Sequence, residues 1–370
     1  MEIDKGKIVG VLKTIMFPGT SRDIFSMYMV ENLIVEGDVI NVSLAIPSTN
    51  YEHKGTLNFS CIEGIQKLYP KATINVHMVA RPENFPKTPS SSKAPLPIKN
   101  IIAVASGKGG VGKSTVSSNL ALSLKRLGYK VGLADMDLYG PSIPTIFGIH
   151  GERPKIKEVN GRAKIVPLIT HGMQIMSMGF VANPEQAVVM RGPRLAAIVK
   201  QFLIDTLWSD LDFLIIDLPP GTGDIQLSLV QTVPVTAAII VTTPQKVAVA
   251  DAVKAANMFR VPSVNVPILG IVENMSWFIP EEFPDHKYLL FGKGGGETLA
   301  KEMETQLIGQ VPIVQSIQEG GDNGQPVALN EGSITAEYFM EIARKTVEQT
   351  NLRNERLAPT MRVEMEEENK

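Results

Sequence analysis

A nine-residue, glycine-rich segment constrains the fold more than any other feature of this sequence. It reads GKGGVGKST, follows the apolar run 101–105, and precedes a helical pattern that includes Leu120 and Leu124. The segment matches G-x-x-x-x-G-K-[ST] in the strand–loop–helix order that this pattern requires. Glycines let the backbone wrap a phosphate chain, and N–H groups at a helix N-terminus attract negative charge. We therefore predict a phosphate-binding loop formed by Gly107, Lys108, Gly109, Gly110, Val111, Gly112, Lys113, Ser114 and Thr115.

The same motif predicts ATP and Mg²⁺ as cofactors. Lys113 should reach the β- and γ-phosphates, and the hydroxyl of Ser114 should ligate the metal. Asp217 comes directly after the apolar run 213–216, at the end of a predicted strand where ligands sit in open parallel sheets. We expect this carboxylate to hold Mg²⁺ through water. The sequence therefore predicts a Mg²⁺-dependent ATPase with slow turnover.

Five near-continuous apolar runs alternate with helical segments in the larger part of the chain. They comprise residues 101–105, 131–134, 213–216, 237–241 and 268–272. Apolar runs of this kind are typical of strands covered on both faces, as in a parallel sheet with helices on either side. We therefore predict an α/β fold with a doubly wound, mostly parallel sheet.

The composition divides the chain into four segments. Residues 82–98 contain five prolines and follow no regular pattern, so we favour an extended linker over a Pro-rich recognition segment. Residues 1–81 carry one helical and two alternating apolar patterns, which predict a small α/β accessory domain. Residues 99–350 form the predicted P-loop ATPase domain, and the polar residues 351–370 are expected to be disordered.

The balance of charges and the length of the apolar runs limit the partners and the cellular compartment to be expected. The chain has 36 basic and 38 acidic residues, a balance that gives no electrostatic footprint for nucleic acid or an anionic membrane. No apolar run reaches the roughly 18–20 residues of a membrane span, and the N-terminus lacks the apolar region of a signal peptide. The single cysteine, Cys61, excludes an internal disulfide framework. We therefore expect a cytoplasmic protein without a nucleic-acid or membrane partner.

A second lysine in the loop carries further information. The pattern K-G-G-x-G-K-[ST], which begins at Lys108, resembles the deviant Walker A motif of the MinD/ParA superfamily. The resemblance implies an ATP-gated homodimer in which Lys108 crosses to the partner's nucleotide and stabilises charge in the transition state. Lys108 and Lys113 would then both be catalytic. The alternative for Lys108 is a solvated loop lysine.

The resemblance also assigns roles to residues at the ends of later strands. Asp137 would lie in switch I and position the attacking water, with Asp135 supporting the water shell of the metal. Residues 219–224 would form switch II, whose glycines allow rearrangement when the γ-phosphate leaves. Asn274 would read adenine, because one carboxamide can both donate and accept.

Four longer stretches narrow the resemblance to one branch of the superfamily. They are DLYGPSIP from Asp137, RGP from Arg191, DLPPGTGD from Asp217 and ENMS from Glu273. Together they resemble the Mrp/ApbC branch, the iron–sulfur cluster carrier ATPases, over residues 99–342. The N-terminal unit is similar to a domain of iron–sulfur assembly factors, although the usual Asp-Pro and cysteine of that domain are missing here. The resemblance implies iron–sulfur apoproteins or assembly factors as clients.

The chain departs from that branch where a cluster would bind. Members that bind a cluster carry C-x-x-C shortly after the position of Asn274, and two chains share one [4Fe–4S] centre, whereas residues 275–292 contain no cysteine. Iron–sulfur clusters require soft thiolate ligands, so the sequence identifies no cluster ligands here. We favour a solvated loop over a site for a hard ion. The side chains of this loop that could ligate such an ion are Glu281, Glu282, Asp285 and His286.

Two further features allow both a structural and a functional interpretation. Trp277, Phe278 and Phe283 could form an apolar contact with a second copy or a client, or they could be buried in their own chain. Cys61 lies in a predicted helix of the small domain, where we favour a buried structural cysteine over a thiol that donates one cluster ligand.

These observations lead to one hypothesis and two alternatives. In the hypothesis, the protein carries or assembles iron–sulfur clusters, ATP clamps the dimer, and hydrolysis changes the affinity for cargo or client. The first alternative is an ATP-switched scaffold without a stable cluster, because the C-x-x-C pair is absent. The second is a ParA-like partitioning ATPase, which the balanced charge does not support.

Overall fold

The structure is a computed structural model that describes residues 3–17, 23–27, 29–46, 51, 53–80, 96–138, 140–159, 161–180, 192–280, 282–283 and 285–360. The chain divides into two compact units, Met1–Ala94 and Pro95–Lys370. The predicted linker, 82–98, lies outside the described residues except for its last three, and Ile98 already begins a strand. No helix in the ranges above is long and apolar enough to cross a membrane.

The N-terminal unit is a three-stranded sheet with two helices. Its elements are α1 (Lys5–Leu12), β1 (Val30–Glu36), β2 (Val39–Ile46), α2 (Lys54–Leu68) and β3 (Thr73–Ala80). β2 is the central strand, antiparallel to β1 and parallel to β3, and α2 makes the crossover. Ile40, Val42 and Leu44 alternate along β2 toward a core that includes Leu57 and Ile65 of α2. The predicted helix and both alternating strands are confirmed.

The larger unit contains an eight-stranded sheet and a separate hairpin. The sheet is formed by β4 (Ile98–Ser106), β5 (Val131–Asp135), β8 (Leu168–Thr170), β9 (Met173–Ser177), β10 (Leu211–Asp217), β11 (Ala237–Thr242), β12 (Ile268–Phe278) and β13 (Leu307–Ile313). The strand order is β13-β12-β11-β4-β10-β5-β9-β8. Neighbouring strands in this order are parallel, except that β8 runs antiparallel to β9. The hairpin consists of β6 (Lys155–Val159) and β7 (Arg162–Val166). All five predicted strands are confirmed.

Helices cover both faces of this sheet. They are α3 (Lys113–Arg126), α4 (Ile143–Ile146), α5 (Gly192–Ile204), α6 (Asp224–Thr232), α7 (Lys246–Arg260), α8 (Gly295–Glu302), α9 (Gln315–Asp322) and α10 (Ile334–Arg356). Leu214 of β10 points into a core shared with Ile225 of α6, whereas the next residue, Ile215, points into a second core with Leu120 of α3 and Phe339 of α10. This alternation explains the continuous apolar runs, because both faces of each central strand are buried. The predicted doubly wound α/β fold is confirmed.

The expected disorder from residue 351 onward is wrong for the first part of that segment. Helix α10 continues to Arg356, six residues beyond Thr350, the last buried residue of the helix. Beyond the helix, the guanidinium of Arg353 donates to the carbonyl of Ala358 and the hydroxyl of Thr360. Residues 361–370 of the expected tail lie outside the described residues.

Candidate functional site

Three strands of the larger unit end with polar residues at the same edge of the sheet. β4 ends at Ser106, β5 at Asp135 and β10 at Asp217, and Asp217 is in register with Asp135. Because these strands are parallel neighbours, their carboxyl ends bring the three side chains together. The glycine-rich loop begins at this edge.

The loop from β4 to α3 follows a path that glycine alone permits at several points. Gly110 and Gly112 have φ angles of 78° and 80°, a left-handed conformation that other residues rarely adopt. A Cβ on Gly112 would lie 2.1 Å from Nδ2 of Asn274, and one on Gly107 would lie 2.1 Å from the backbone carbon of Asp251 in α7. The loop is therefore packed between β12 and α7, and it ends at the N-terminus of α3.

A buried carboxylate connects the loop to the sheet. Oδ1 of Asp217 lies 2.8 Å from Nζ of Lys113 and accepts a 2.6 Å hydrogen bond from the Ser117 hydroxyl. Oδ2 accepts a 2.6 Å hydrogen bond from the hydroxyl of Ser114. Lys113 is only 6% exposed and Asp217 is fully buried, so the ammonium group and the two hydroxyls compensate the desolvated carboxylate.

These side chains fit a magnesium ion bound with a phosphate chain. The Ser114 hydroxyl oxygen and Oδ2 of Asp217 are in direct contact, so both oxygens can reach one small cation, directly or through its water. Mg²⁺ prefers hard oxygen ligands and keeps several of its waters. Lys113 contacts the same carboxylate and would supply a cation for the phosphates.

Asp135 is a second buried carboxyl group beside Asp217. It accepts hydrogen bonds from the Ser177 hydroxyl at 2.8 Å, from the Asp137 N–H at 3.1 Å and from the Ile143 N–H at 3.3 Å. Burial, with a further contribution from the charge of Asp217, raises the pKa of Asp135 to about 7. Through the hydrogen bonds from Asp137 and Ile143, Asp135 anchors the turn that carries Asp137.

A cavity of about 630 Å³ opens above these groups. The glycine-rich loop, Asp137 and Pro220 line part of it. Further lining residues, most of them apolar, include Met275, Phe291, Pro312, Ile313, Val314, Ile317, Gln318, Gly321 and Asp322. A phosphate chain on the glycine-rich loop would leave room in this volume for a base and sugar.

The sequence-predicted site residues line this cavity, except for Gly107 and the fully buried Asp217. Lys108 and Asp137 both line it and are half-buried. Lys108 forms no ion pair with any residue in the described ranges. Oδ1 of Asp137 accepts a hydrogen bond from the N–H of Gly140 at 3.1 Å. Their catalytic roles stay predictions.

Asn274 lines the cavity and also contacts the glycine-rich loop. Its Nδ2 donates a 2.8 Å hydrogen bond to the carbonyl of Val111. The next residue, Met275, has a φ of 56°, and the pairing of β12 with β13 becomes irregular at this point. Asn274 therefore helps to fix the loop, and adenine recognition by its carboxamide stays a prediction.

Two parts of the site were missed by the sequence analysis. Ser117 lies one helical turn after Lys113, so its i, i+4 spacing was a usable signal that it shares a face with that lysine. The lining segment 312–322 begins with the last two residues of β13, which was not predicted as a strand. Ligands of open parallel sheets bind at the carboxyl ends of the strands. Had β13 been recognised as a strand, this rule would have predicted that the segment at its end lines the site.

In the segment after Asn274, Trp277 and Phe278 make contacts within their own chain. Trp277 packs edge-on against Tyr338 in its own chain, and Lys287 lies over its ring at 4.5 Å. Phe278 forms a backbone bridge with Tyr288, and their rings lie near each other. Phe283 is 58% exposed and stays available for a contact with another molecule.

No group of three or more acidic, histidine or cysteine side chains among the described residues could hold a metal ion. Glu282, Asp285 and His286 are within those ranges and show no such arrangement, while Glu281 lies outside them. A hard-ion site on this loop therefore has no support from the described residues.

Cys61 is a buried residue of α2 and faces the core of the N-terminal unit. Burial raises the pKa of its thiol to about 12, so the side chain stays protonated at neutral pH. A metal ligand must be a thiolate, which this environment disfavours. The structural interpretation of Cys61 is therefore favoured.

Comparison with known families and proteins agrees with this geometry. The NUBPL iron-transfer P-loop NTPase family, of the ParA type, matches residues 97–347. An iron–sulfur cluster carrier protein of Synechocystis is 39% identical, covering 91% of this chain and 95% of its own length. The protein of that name from Escherichia coli is also 39% identical, covering 90% of this chain and 89% of its own length.

Solved structures show a similar fold. A nucleotide-binding protein from Archaeoglobus fulgidus, in complex with ADP, is 35% identical to this chain, with a TM-score of 0.56. The match covers 66% of this chain and 93% of the chain from Archaeoglobus. The septum site-determining protein MinD from Pyrococcus horikoshii, complexed with Mg-ADP, is 24% identical with a TM-score of 0.50, covering 69% of this chain and 98% of its own. The second likeness concerns the fold alone.

Proposed function

This chain belongs to the iron-transfer P-loop NTPase family that includes the iron–sulfur cluster carrier proteins, and we propose that it binds and hydrolyses Mg·ATP. One observation carries the proposal: Lys113 and Ser114 contact the same carboxylate, Asp217, at 2.8 and 2.6 Å where the glycine-rich loop meets α3. Lys113 would bind the β- and γ-phosphates, and Ser114 with Asp217 would hold the metal. The ADP of the Archaeoglobus relative supports nucleotide binding by this fold.

Removal of Mg²⁺ tests the proposal. Wild-type protein should release phosphate from ATP slowly, and EDTA should lower the rate to background, because the metal neutralises charge that develops on the phosphates. Asp217→Asn should show the same loss in the presence of Mg²⁺. Asp212→Asn is the matched control, since Asp212 lies near the start of the same strand and outside the described cavity wall. Equal rates with Mg²⁺ and with EDTA would contradict the assignment.

The hydrolytic cycle we propose requires two copies of the chain. Lys108 would contact the nucleotide of the partner, and Asp137 would position the attacking water. Both side chains line the cavity. Nucleotide would then clamp the dimer, and loss of the γ-phosphate would release the loops beside it.

The proposed cargo is an iron–sulfur cluster whose thiolate ligands would come from outside this chain. The relatives at 39% identity are named iron–sulfur cluster carrier proteins, yet this chain has one cysteine, and Cys61 is buried. A [4Fe–4S] cluster normally takes four thiolates. Small thiols or the cysteines of a client would therefore supply the thiolates. The buried Cys61 equally favours the second candidate, an ATP-switched scaffold that positions iron–sulfur clients without a stable cluster.

Anaerobic reconstitution with iron and sulfide distinguishes these candidates. Gel-filtered wild-type protein should retain little iron without added thiol, and Cys61→Ala should behave in the same way because the buried thiol is not a ligand. Added glutathione should raise the iron and sulfide content if the protein carries a cluster. A stable, near-stoichiometric cluster without added thiol would contradict this proposal. Loss of the cluster in Cys61→Ala alone would move the cargo site to the N-terminal unit.

We further propose iron–sulfur apoproteins or assembly factors as clients, and the cytoplasm as the place of action. The family supports this partner class, and the near-neutral net charge of −2 gives no support for a nucleic-acid or membrane partner. A ParA-like partitioning role would require DNA binding that weakens with salt, which a titration at two ionic strengths would detect.

A further inference from the structure

A six-residue loop, 218–223, connects the metal carboxylate to helix α6. It begins directly after Asp217, and the N–H of Gly221 donates a 2.8 Å hydrogen bond to the carbonyl of Ser106, the last residue of β4. Pro220 lines the cavity, and its Cγ is 3.9 Å from the position that a Cβ on Gly109 would occupy. This connecting loop therefore lies against the phosphate-binding loop.

One buried side chain holds the connecting loop in shape. Nε2 of Gln226, in the first turn of α6, donates to the carbonyls of Pro219 at 3.0 Å and Gly221 at 2.9 Å. Its Oε1 accepts a 3.0 Å hydrogen bond from the N–H of Gly223. Gln226 is fully buried, and an amide in such a position is costly unless its hydrogen bonds are made. Both of its donor hydrogens and its acceptor are used on a single loop.

The chemistry of these three bonds is specific to glutamine. A glutamate of the same length could still accept from Gly223, but a carboxylate cannot donate to either carbonyl. A methionine would fill a similar volume and make none of the three bonds. The amide therefore does more than fill space in the core.

We propose that Gln226 is a positioning residue for ATP hydrolysis, an inference that rests on the ATPase activity proposed above. Gln226 is not among the described residues that line the cavity, so it acts through the connecting loop. Phosphoryl transfer depends on positioning and electrostatic stabilisation, so a displaced loop beside Asp217 lowers turnover more than it lowers nucleotide affinity. A displacement of about 1 Å near a reacting group can cost roughly 10²-fold in rate.

The substitution Gln226→Met tests this role. We expect kcat to fall roughly 10- to 100-fold while the Kd for Mg·ATP changes by less than about threefold, the pattern of a lost transition-state interaction. The N–H of Gly221 should exchange with solvent at least about tenfold faster, because the loop that holds it to Ser106 is loosened. Gln231→Met is the matched control: Gln231 lies on the same helix, is half-buried, and makes no side-chain hydrogen bond to a described residue.

A second variant, Gln226→Glu, keeps the shape of the side chain and carries the test if Gln226→Met does not fold. Its kcat should likewise fall while its Kd for Mg·ATP changes little. Wild-type turnover in either folded variant, or an equal loss of turnover and ATP affinity, would overturn the proposal. If the Gly221 N–H exchanged in both variants as slowly as in the wild-type protein, the proposal would also be overturned, even if turnover fell. Absence of hydrolysis in the wild-type protein would instead refute the ATPase itself.

Discussion

Replacement of Lys113 by alanine should abolish tight binding of Mg·ATP, with a loss of affinity of roughly 10²- to 10³-fold. The ammonium group lies 2.8 Å from Oδ1 of Asp217 in a buried position. The motif directs the same group toward the β- and γ-phosphates. Without it, the phosphate chain would approach a carboxylate that retains only hydroxyl donors, and repulsion would replace attraction. Titration calorimetry with ATP and Mg²⁺ measures the affinity, and thermal unfolding shows whether the variant is folded.

Lys99→Ala is the matched control for that variant. Nζ of Lys99 also lies 2.8 Å from a carboxylate oxygen of β10, in this case Oδ1 of Asp212, but the lysine is 77% exposed and lies at the opposite end of β4. Lys99 lies at the start of β4 and does not line the cavity, so its removal should leave nucleotide affinity unchanged. Unchanged affinity in a folded Lys113→Ala variant would show that the phosphate-binding assignment is wrong.

The parts of the fold that were predicted correctly depend on local patterns. The glycine-rich loop is continuous in sequence, and the geometry of Gly110 and Gly112 requires the residue type that the motif specifies. The five central strands are buried on both faces, so their apolar runs are uninterrupted. β13 was missed because Gly309, Gln310 and Pro312 interrupt its apolar pattern at the edge of the sheet.

Contacts between distant parts of the chain could not be predicted in this way. Ser117 reaches Asp217 across 100 residues, and Asn274 reaches Val111 across 163. Such contacts depend on the strand order, in which β10 lies beside β4 while β12 is two strands away on the other side. A periodic pattern reports which face of an element is buried, but it does not report which element lies next to it. Gln226 was missed for a different reason: its hydrogen bonds span only three to seven residues, but no periodic pattern marks a buried amide that caps a loop.

The position of Cys61 shows how the structure changes the hypothesis about cargo. A lone cysteine in a sequence can be a ligand or a core residue, and the two interpretations differ in whether the thiolate is accessible. Here the thiol is buried in the N-terminal unit and its pKa is raised to about 12. The chain therefore combines the proposed nucleotide site with no accessible thiolate among the described residues.

Replacement of Lys108 by alanine should lower ATP turnover by roughly 10²-fold or more while nucleotide affinity stays within a few-fold of wild type, the effect of a lost charge in the transition state. Lys108 lines the cavity but, unlike Lys113, forms no ion pair with a described residue, so its charge is available to a second nucleotide. Asp137→Ala should instead bind ATP and accumulate as a dimer, because the water would no longer be positioned. Phosphate release and light scattering measure both outcomes.

A mixture of two inactive variants tests whether Lys108 acts across the dimer. Lys108→Ala can bind ATP but lacks the crossing lysine, whereas Lys113→Ala retains that lysine and cannot bind ATP tightly. In a mixed dimer the Lys113→Ala chain would supply Lys108 to the nucleotide of its partner, so the mixture should hydrolyse ATP faster than the sum of the two variants alone. Lys254→Ala, which removes an exposed lysine on α7, should keep the wild-type rate. Wild-type turnover by Lys108→Ala, or no gain on mixing, would show that this lysine does not act on the partner's nucleotide.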